Sequence, residues 1–101
     1  MVTINISTQD DAVFATLAGR LDTAASVQFS ADMEPLMDSA DRRIILDCTD
    51  LQFVSSSGLR LLLMLRKATI AKGGSVTIRN VSPDVAQVFS ITGFYSLFDF
   101  E

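Results

Sequence analysis

The sequence contains no histidine and only one cysteine, Cys48. Histidine and cysteine are the commonest transition-metal ligands, and histidine is the usual general base at neutral pH. Their scarcity disfavours a metal centre and a serine nucleophile activated by histidine, and we expect no cofactor. One thiol cannot form an internal disulfide, and Cys48 lies at the end of an apolar run, so we predict a buried structural thiol.

Long apolar runs and basic blocks are also missing. No stretch approaches the roughly eighteen apolar residues of a membrane span, and Met1 to Ser7 alternates polar and apolar residues instead of reading as basic then hydrophobic. Eight basic residues against twelve acidic ones give a formal net charge of -4, which disfavours non-specific binding to nucleic acid phosphates. We therefore expect a cytoplasmic protein, monomeric when free, whose partner is a protein or a small molecule and not a membrane or a nucleic acid.

The apolar residues, 49% of the chain, follow alternating strand and helix patterns. Alternation at residues 2–6 and an apolar run at 13–18 predict a β-hairpin. Apolar positions spaced by three and four predict a first helix at 23–38, capped by Asp22 or Thr23. With 101 residues, the chain has the length of one domain.

The second half of the chain continues the pattern. Pro35 predicts a kink or an early end of the first helix, because proline lacks the amide hydrogen of the helical bond. The unbroken apolar run Ile44 to Leu46 predicts a strand in the centre of a sheet, covered on both faces. The remaining predicted elements are a helix at 57–71, a strand at 75–79, a helix from Pro83 to Gly93 capped by Ser82, and a strand at 97–100. This order predicts an α/β fold with a mixed sheet of four to five strands and helices mainly on one face.

Three consecutive serines, Ser55, Ser56 and Ser57, stand before the second helix. A catalytic serine would need a base, and no histidine exists to serve, so we expect that the protein is not an enzyme. One of the three is predicted to cap the helix, which contributes about 1 kcal/mol. A serine at a helix start is also a suitable phosphate acceptor, because free amides and the helix dipole stabilise the added charge. If Asp22 lies nearby, phosphorylation would increase repulsion toward an acidic partner site.

The helix that follows the serines carries a mixed stripe. Arg60, Met64, Lys67 and Ala71 fall on one side of it, opposite the leucine-rich side. The stripe is either an ordinary solvated face or a docking surface. Its position beside the serines favours docking.

Taken together, four segments resemble the STAS-domain family of bacterial anti-sigma factor antagonists across nearly the whole chain, residues 1–101. They are GRLDT at 19–23, IILDCTDLQFVSSSGLRLLL at 44–63, AKGGSVTI at 71–78 and VSPDVAQVFSITGFYSLF at 81–98. In this family a serine that follows an aspartate, in the pattern Asp-Ser-Ser/Thr-Gly-Leu, is phosphorylated by an anti-sigma factor that is itself a serine kinase. The unphosphorylated member binds that kinase and frees the sigma factor, and a PP2C-type phosphatase resets the cycle.

Matched from Gly58 backwards, the resemblance implies Ser56 as the acceptor and Asp22 as the family's aspartate near the site. Ser55 stands where the family has aspartate, so Ser55 and Ser57 remain alternative acceptors. The residues that the resemblance and the stripe together suggest for partner binding are Asp22, Thr23, Ser55, Ser57, Gly58, Arg60, Met64 and Lys67. A second hypothesis is a non-switched STAS module of a transport or scaffold complex, in which the same surface binds a lipid, a nucleotide or a membrane protein.

Overall fold

The computed structural model describes residues 1–101. Its elements are β1 (Val2–Gln9), β2 (Ala12–Leu21), α1 (Thr23–Asp32), α2 (Glu34–Asp38), β3 (Arg43–Val54), α3 (Ser56–Lys72), β4 (Ser75–Arg79), α4 (Pro83–Thr92), a 3₁₀ turn (Phe94–Ser96) and β5 (Asp99–Phe100). The five strands lie in the order β1-β2-β3-β4-β5. β1 is antiparallel to β2 and the other neighbouring pairs are parallel, so the sheet is mixed and β3 is central, as predicted.

One face of the sheet carries the helices. Val13 pairs with Ile44 and Ile44 with Val76, so these three side chains share a face, and all three belong to the main hydrophobic cluster. The buried apolar side chains of the four helices belong to the same cluster, which confirms that the helices pack on one face. The main ones are Phe29, Leu36, Leu59, Leu62, Leu65, Val85 and Phe89.

The first helix is interrupted, as the proline predicted. α1 ends at Asp32. Its C-cap, Met33, has a φ of -84° and a ψ of 0°, which leave helical geometry, although the Met33 amide still donates to the Phe29 carbonyl. Pro35 then lies in the first turn of α2, where a missing amide hydrogen costs no helical bond. The chain therefore forms two short helices instead of one helix at 23–38.

The predicted strand at 97–100 is wrong for its first half. The amides of Leu97 and Phe98 both donate to the carbonyl of Phe94, so they complete a turn and are not free for pairing with β4. The Phe94 and Phe98 rings stack with centroids 5.3 Å apart, which holds this turn against the core. Pairing with β4 begins only at Asp99.

The α3 prediction is confirmed, with the helix one residue longer at each end than 57–71. Gly73 closes it with a φ of 86°, a left-handed conformation that glycine adopts without strain. None of the helices combines the length and apolar character that crossing a lipid bilayer requires.

Candidate functional site

Parallel pairing brings two helix starts together at one edge of the sheet. The pairing of β2 with β3 shifts register twice, after Thr16 and after Gly19, and continues to Leu21 and Val54, the last residues of the two strands. Directly after β3, the amide of Ser55 donates to the Leu21 carbonyl at 2.8 Å. The residues that follow the two strands, Asp22 and Ser55, are therefore neighbours, and the predicted proximity of Asp22 to the serines is confirmed.

Asp22 is the N-cap of α1. Its backbone is extended, with a φ of -82° and a ψ of -179°, and its Oδ1 accepts a hydrogen bond from the Ala25 amide at 2.8 Å. This bond satisfies one of the amides that a helix start leaves unpaired and places a carboxylate at the positive end of the helix dipole. Thr23, the first residue of α1, is exposed beside it.

The three serines have different environments. Ser55 is half-buried and is the N-cap of α3, because its Oγ accepts from the Gly58 amide at 3.2 Å. Ser56 is the first helical residue, is exposed, and its hydroxyl forms no hydrogen bond within the chain. Ser57 is half-buried. The structure thus separates the capping serine, Ser55, from the most accessible hydroxyl, that of Ser56.

Gly58 fixes how closely α3 approaches β2. It is buried, and a Cβ built on it would lie 2.6 Å from the Cγ of Leu21 and 3.2 Å from the Cγ1 of Val54. The glycine therefore lets the start of α3 sit directly against the last residues of both strands. Its position is explained by packing, and a direct partner contact at Gly58 remains a prediction.

The predicted stripe on α3 is exposed along its length. Arg60, Met64 and Lys67 all face solvent, and 47% of the Met64 surface is accessible. The ion pairs of the protein lie elsewhere, on the guanidinium groups of Arg43 and Arg79, which both contact Glu101. The charges of Arg60 and Lys67 are thus not neutralised within the chain.

Two further residues, Arg20 and Ser82, lie at this edge of the sheet, although the sequence did not suggest them for the site. Arg20 pairs with Phe53, and its guanidinium carbon lies 4.6 Å from the centre of the Phe53 ring, a cation–π contact one residue before Leu21. Ser82, the N-cap of α4, reaches the same edge, since its hydroxyl lies 3.2 Å from the Leu51 carbonyl that accepts its hydrogen bond. The sequence signal for both was indirect, because it depended on knowing the parallel strand order.

The two titratable groups with shifted pKa values lie within β3, away from the serines. Burial raises the pKa of the Cys48 thiol to about 12, and the predicted burial of this residue is confirmed. Hydrogen bonds from the Thr49 hydroxyl at 2.6 Å and amide at 2.9 Å lower the pKa of Asp47. No group of three histidine, cysteine, aspartate or glutamate residues is placed to hold a metal ion.

Proteins similar to this chain in sequence include several anti-sigma factor antagonists. BtrV of Bordetella bronchiseptica, provisionally described as an anti-sigma factor antagonist, is 34% identical over 88% of this chain and 77% of its own length. The anti-sigma-B factor antagonist of Bacillus subtilis is 25% identical over 97% of this chain and 89% of its own length.

Solved structures show the same fold. The structure of the Bacillus cell fate determinant SpoIIAA, an anti-sigma factor antagonist, has been solved in an unphosphorylated and a phosphorylated form. Its unphosphorylated form matches with a TM-score of 0.79 and 25% identity, over 98% of this chain and 88% of the other. Its phosphorylated form matches with a TM-score of 0.72 and 25% identity, over 98% of this chain and 91% of the other. The sequence model of the STAS domain matches residues 3–101. The chain belongs to the STAS domain family.

Proposed function

We propose that this protein is an anti-sigma factor antagonist switched by phosphorylation of Ser56. In the unphosphorylated form it binds a serine-kinase anti-sigma factor, so that the sigma factor is released. The single observation that carries the proposal is the position of Ser56, an exposed and unbonded hydroxyl at the start of α3 beside Asp22. The names of its relatives support the same class of partner.

The chemical step requires a catalyst that the partner supplies. The Ser56 Oγ attacks the γ-phosphorus of ATP, the bond from that phosphorus to the bridging oxygen of ADP breaks, and the hydroxyl proton passes to a base on the kinase. This chain has no histidine to act as that base, so we propose that it is a substrate and binding partner and not an enzyme. A PP2C-type phosphatase hydrolyses the phosphate ester and restores the hydroxyl.

The position of Ser56 at the start of α3 explains how its phosphorylation changes binding to the kinase while the fold persists. A phosphoserine carries about -1.5 to -2 charges at neutral pH, and the free amides at the start of α3 can accommodate them. The Asp22 carboxylate, at the adjacent helix start, already places one negative charge at this edge. The added charge therefore acts mainly outward, toward the bound partner. The partner surface in this proposal comprises Asp22, Thr23, Ser55, Ser57, Gly58, Arg60, Met64 and Lys67.

Single-serine variants test the assignment. The protein is incubated with ATP and the purified anti-sigma kinase encoded in its genome, and the phosphorylated residue is located by mass spectrometry. We expect phosphate on Ser56, no phosphate on Ser56→Ala, and normal phosphorylation of the matched control Ser90→Ala, an exposed helical serine outside the partner surface. Ser56→Ala should keep its binding to the kinase. Phosphate on Ser55 or Ser57 in the wild-type protein would refute the choice of Ser56, and its absence from all three would refute the switch.

A further inference from the structure

Acidic residues are absent from one continuous part of this acidic chain. Residues 51–83 contain no aspartate or glutamate, although the chain has twelve acidic residues and a net charge of -4. Four of its eight basic residues lie within α3, at positions 60, 66, 67 and 72. The charge of the protein is thus segregated, and α3 is a basic helix on an acidic molecule.

The exposed side of this helix combines charge with apolar surface. We call it the cationic face of α3, and it consists of Ser56, Arg60, Met64, Lys67, Ile70 and Ala71, all exposed. Positions separated by three, four and seven residues line up along a helix, so the face continues from the proposed phosphate acceptor toward the other end of α3. Ile70 is 62% exposed, which leaves an apolar contact beside the two cations.

Arg60 and Lys67 have no carboxylate within ion-pair distance, whereas Arg43 and Arg79 pair with Glu101. Unpaired cations beside exposed apolar side chains match a partner that offers carboxylates around an apolar centre. An anionic membrane fits less well, because lipid-binding clusters usually contain about four to eight basic residues, whereas the cationic face holds two, Arg60 and Lys67. The net negative charge of the protein also opposes approach to an anionic membrane.

We propose that the cationic face of α3 docks on a carboxylate-bearing surface of the anti-sigma factor. In the unphosphorylated form Arg60 pairs with a carboxylate of the partner, and when Ser56 is phosphorylated Arg60 pairs with the phosphate instead. The proposal rests on the proposed function. Ser56 and Arg60 are four residues apart on one helix, a spacing that puts their Cβ atoms about 5–6 Å apart. A negative group four residues before a cation is the favourable orientation for a helical ion pair.

The consequence is a switch with two effects. The phosphate adds negative charge that repels the partner's carboxylates, and it also pairs with the cation that those carboxylates would bind. Lys67 lies seven residues beyond Arg60, about 10 Å along the helix, and stays available in both states. Arg60 is therefore expected to determine the difference between the two states, and Lys67 to contribute to binding in general.

Charge-reversal variants test the docking surface. Binding of the unphosphorylated protein to the purified anti-sigma kinase is measured by calorimetry at several salt concentrations. We expect Arg60→Glu and Lys67→Glu to bind roughly tenfold more weakly, with a smaller dependence on salt. The matched control is Arg42→Glu, an identical charge change at an exposed residue beyond the opposite end of β3. It should bind within about twofold of wild type.

The outcomes separate this inference from the proposed function. If the wild-type protein binds the kinase and Arg60→Glu binds as tightly as Arg42→Glu, the docking surface is wrong, and the proposed binding of the kinase and the switch at Ser56 stand without it. If the wild-type protein binds no anti-sigma factor, the proposed function itself fails. Sedimentation with phosphatidylglycerol vesicles, lost in Arg60→Glu, would assign the face to a lipid surface and overturn the inference.

The phosphate contact has its own test, which needs no kinase. Phosphoserine is incorporated at Ser56 during translation, and the phosphate is titrated by phosphorus NMR. A neighbouring guanidinium favours the doubly charged phosphate, so we expect a higher phosphate pKa in Arg60→Gln than in the wild-type protein. Arg60→Lys should preserve most of the effect and Arg42→Gln all of it. Identical titrations of Arg60→Gln and the wild-type protein would refute the pairing.

Discussion

Replacing Gly58 by alanine should destabilise the protein even though alanine is the better helix former. In an unobstructed helix interior, this change stabilises by up to about 1 kcal/mol. Here the new methyl group would lie 2.6 Å from the Leu21 Cγ and 2.8 Å from its Cδ2. Leu21 has no exposed surface and lies in the main hydrophobic cluster, so its side chain has no open space into which it can move.

The size of the effect follows from two opposing contributions. Overpacking a filled core costs typically about 1–3 kcal/mol. Subtracting up to about 1 kcal/mol for helix propensity leaves a net loss of about 1 kcal/mol in the free energy of unfolding. To relieve this overpacking, the start of α3 would have to move away from the end of β2. Gly58→Ala should therefore also shift the amide NMR signals of Ser56 and Asp22.

A double-mutant cycle with Leu21→Ala isolates the contact. Leu21→Ala alone should cost about 2–5 kcal/mol, but it removes the two atoms closest to the new methyl group, the Cγ and Cδ2 of Leu21. In that background Gly58→Ala should become neutral or stabilising, which gives a coupling of about 1–2 kcal/mol. Urea unfolding is followed by circular dichroism, since the chain has no tryptophan. If Gly58→Ala stabilises the otherwise wild-type protein, the close approach of α3 to Leu21 does not have the proposed importance.

Three further predictions concern individual side chains. Ser55→Ala should lower the free energy of unfolding by about 1 kcal/mol in urea titrations, because the Gly58 amide loses its acceptor, whereas Ser55→Asp should retain the cap. The pKa of Asp47 is lowered in the folded protein, so the ionised carboxylate stabilises the fold fully above the ordinary pKa of 3.8. This stabilisation is lost as the pH falls below 3.8 toward the lowered pKa. Acid unfolding of Asp47→Asn should therefore show a weaker loss of stability in that range than the wild-type protein. Cys48, with its pKa raised to about 12, should react with Ellman's reagent at pH 8 only when the protein is unfolded. Rapid labelling of the native thiol would contradict its burial.

Local signals in the sequence were sufficient for α3 and for the first half of β3, while the continuation of β3 to Val54 was not predicted. A run of serines before the leucines and a glycine after them marked both ends of α3, and the apolar run beginning at Ile44 marked the central strand. In these elements the local preference and the tertiary environment agree. The same signals located the candidate site, because helix caps are local features of the sequence.

Contacts between residues far apart in the sequence determine where β2 ends. β2 extends through Gly19 to Leu21, beyond the predicted 13–18, since Gly19 adopts a φ of 96° and the next amide, of Arg20, donates to the Met1 carbonyl. A Cβ at Gly19 would overlap that carbonyl oxygen, so the pairing depends on a residue far away in the sequence. The sequence did not distinguish Ser55 as the cap of α3, because all three serines have suitable side chains.

The most direct test of the central claim compares one protein in two covalent states. The dissociation constant for the purified anti-sigma kinase is measured with serine and with phosphoserine at residue 56, at identical salt concentration. We predict tight binding of the serine form and a loss on the order of 100-fold in the phosphoserine form, about 2.8 kcal/mol. Equal affinities of the two forms would contradict a switch at Ser56.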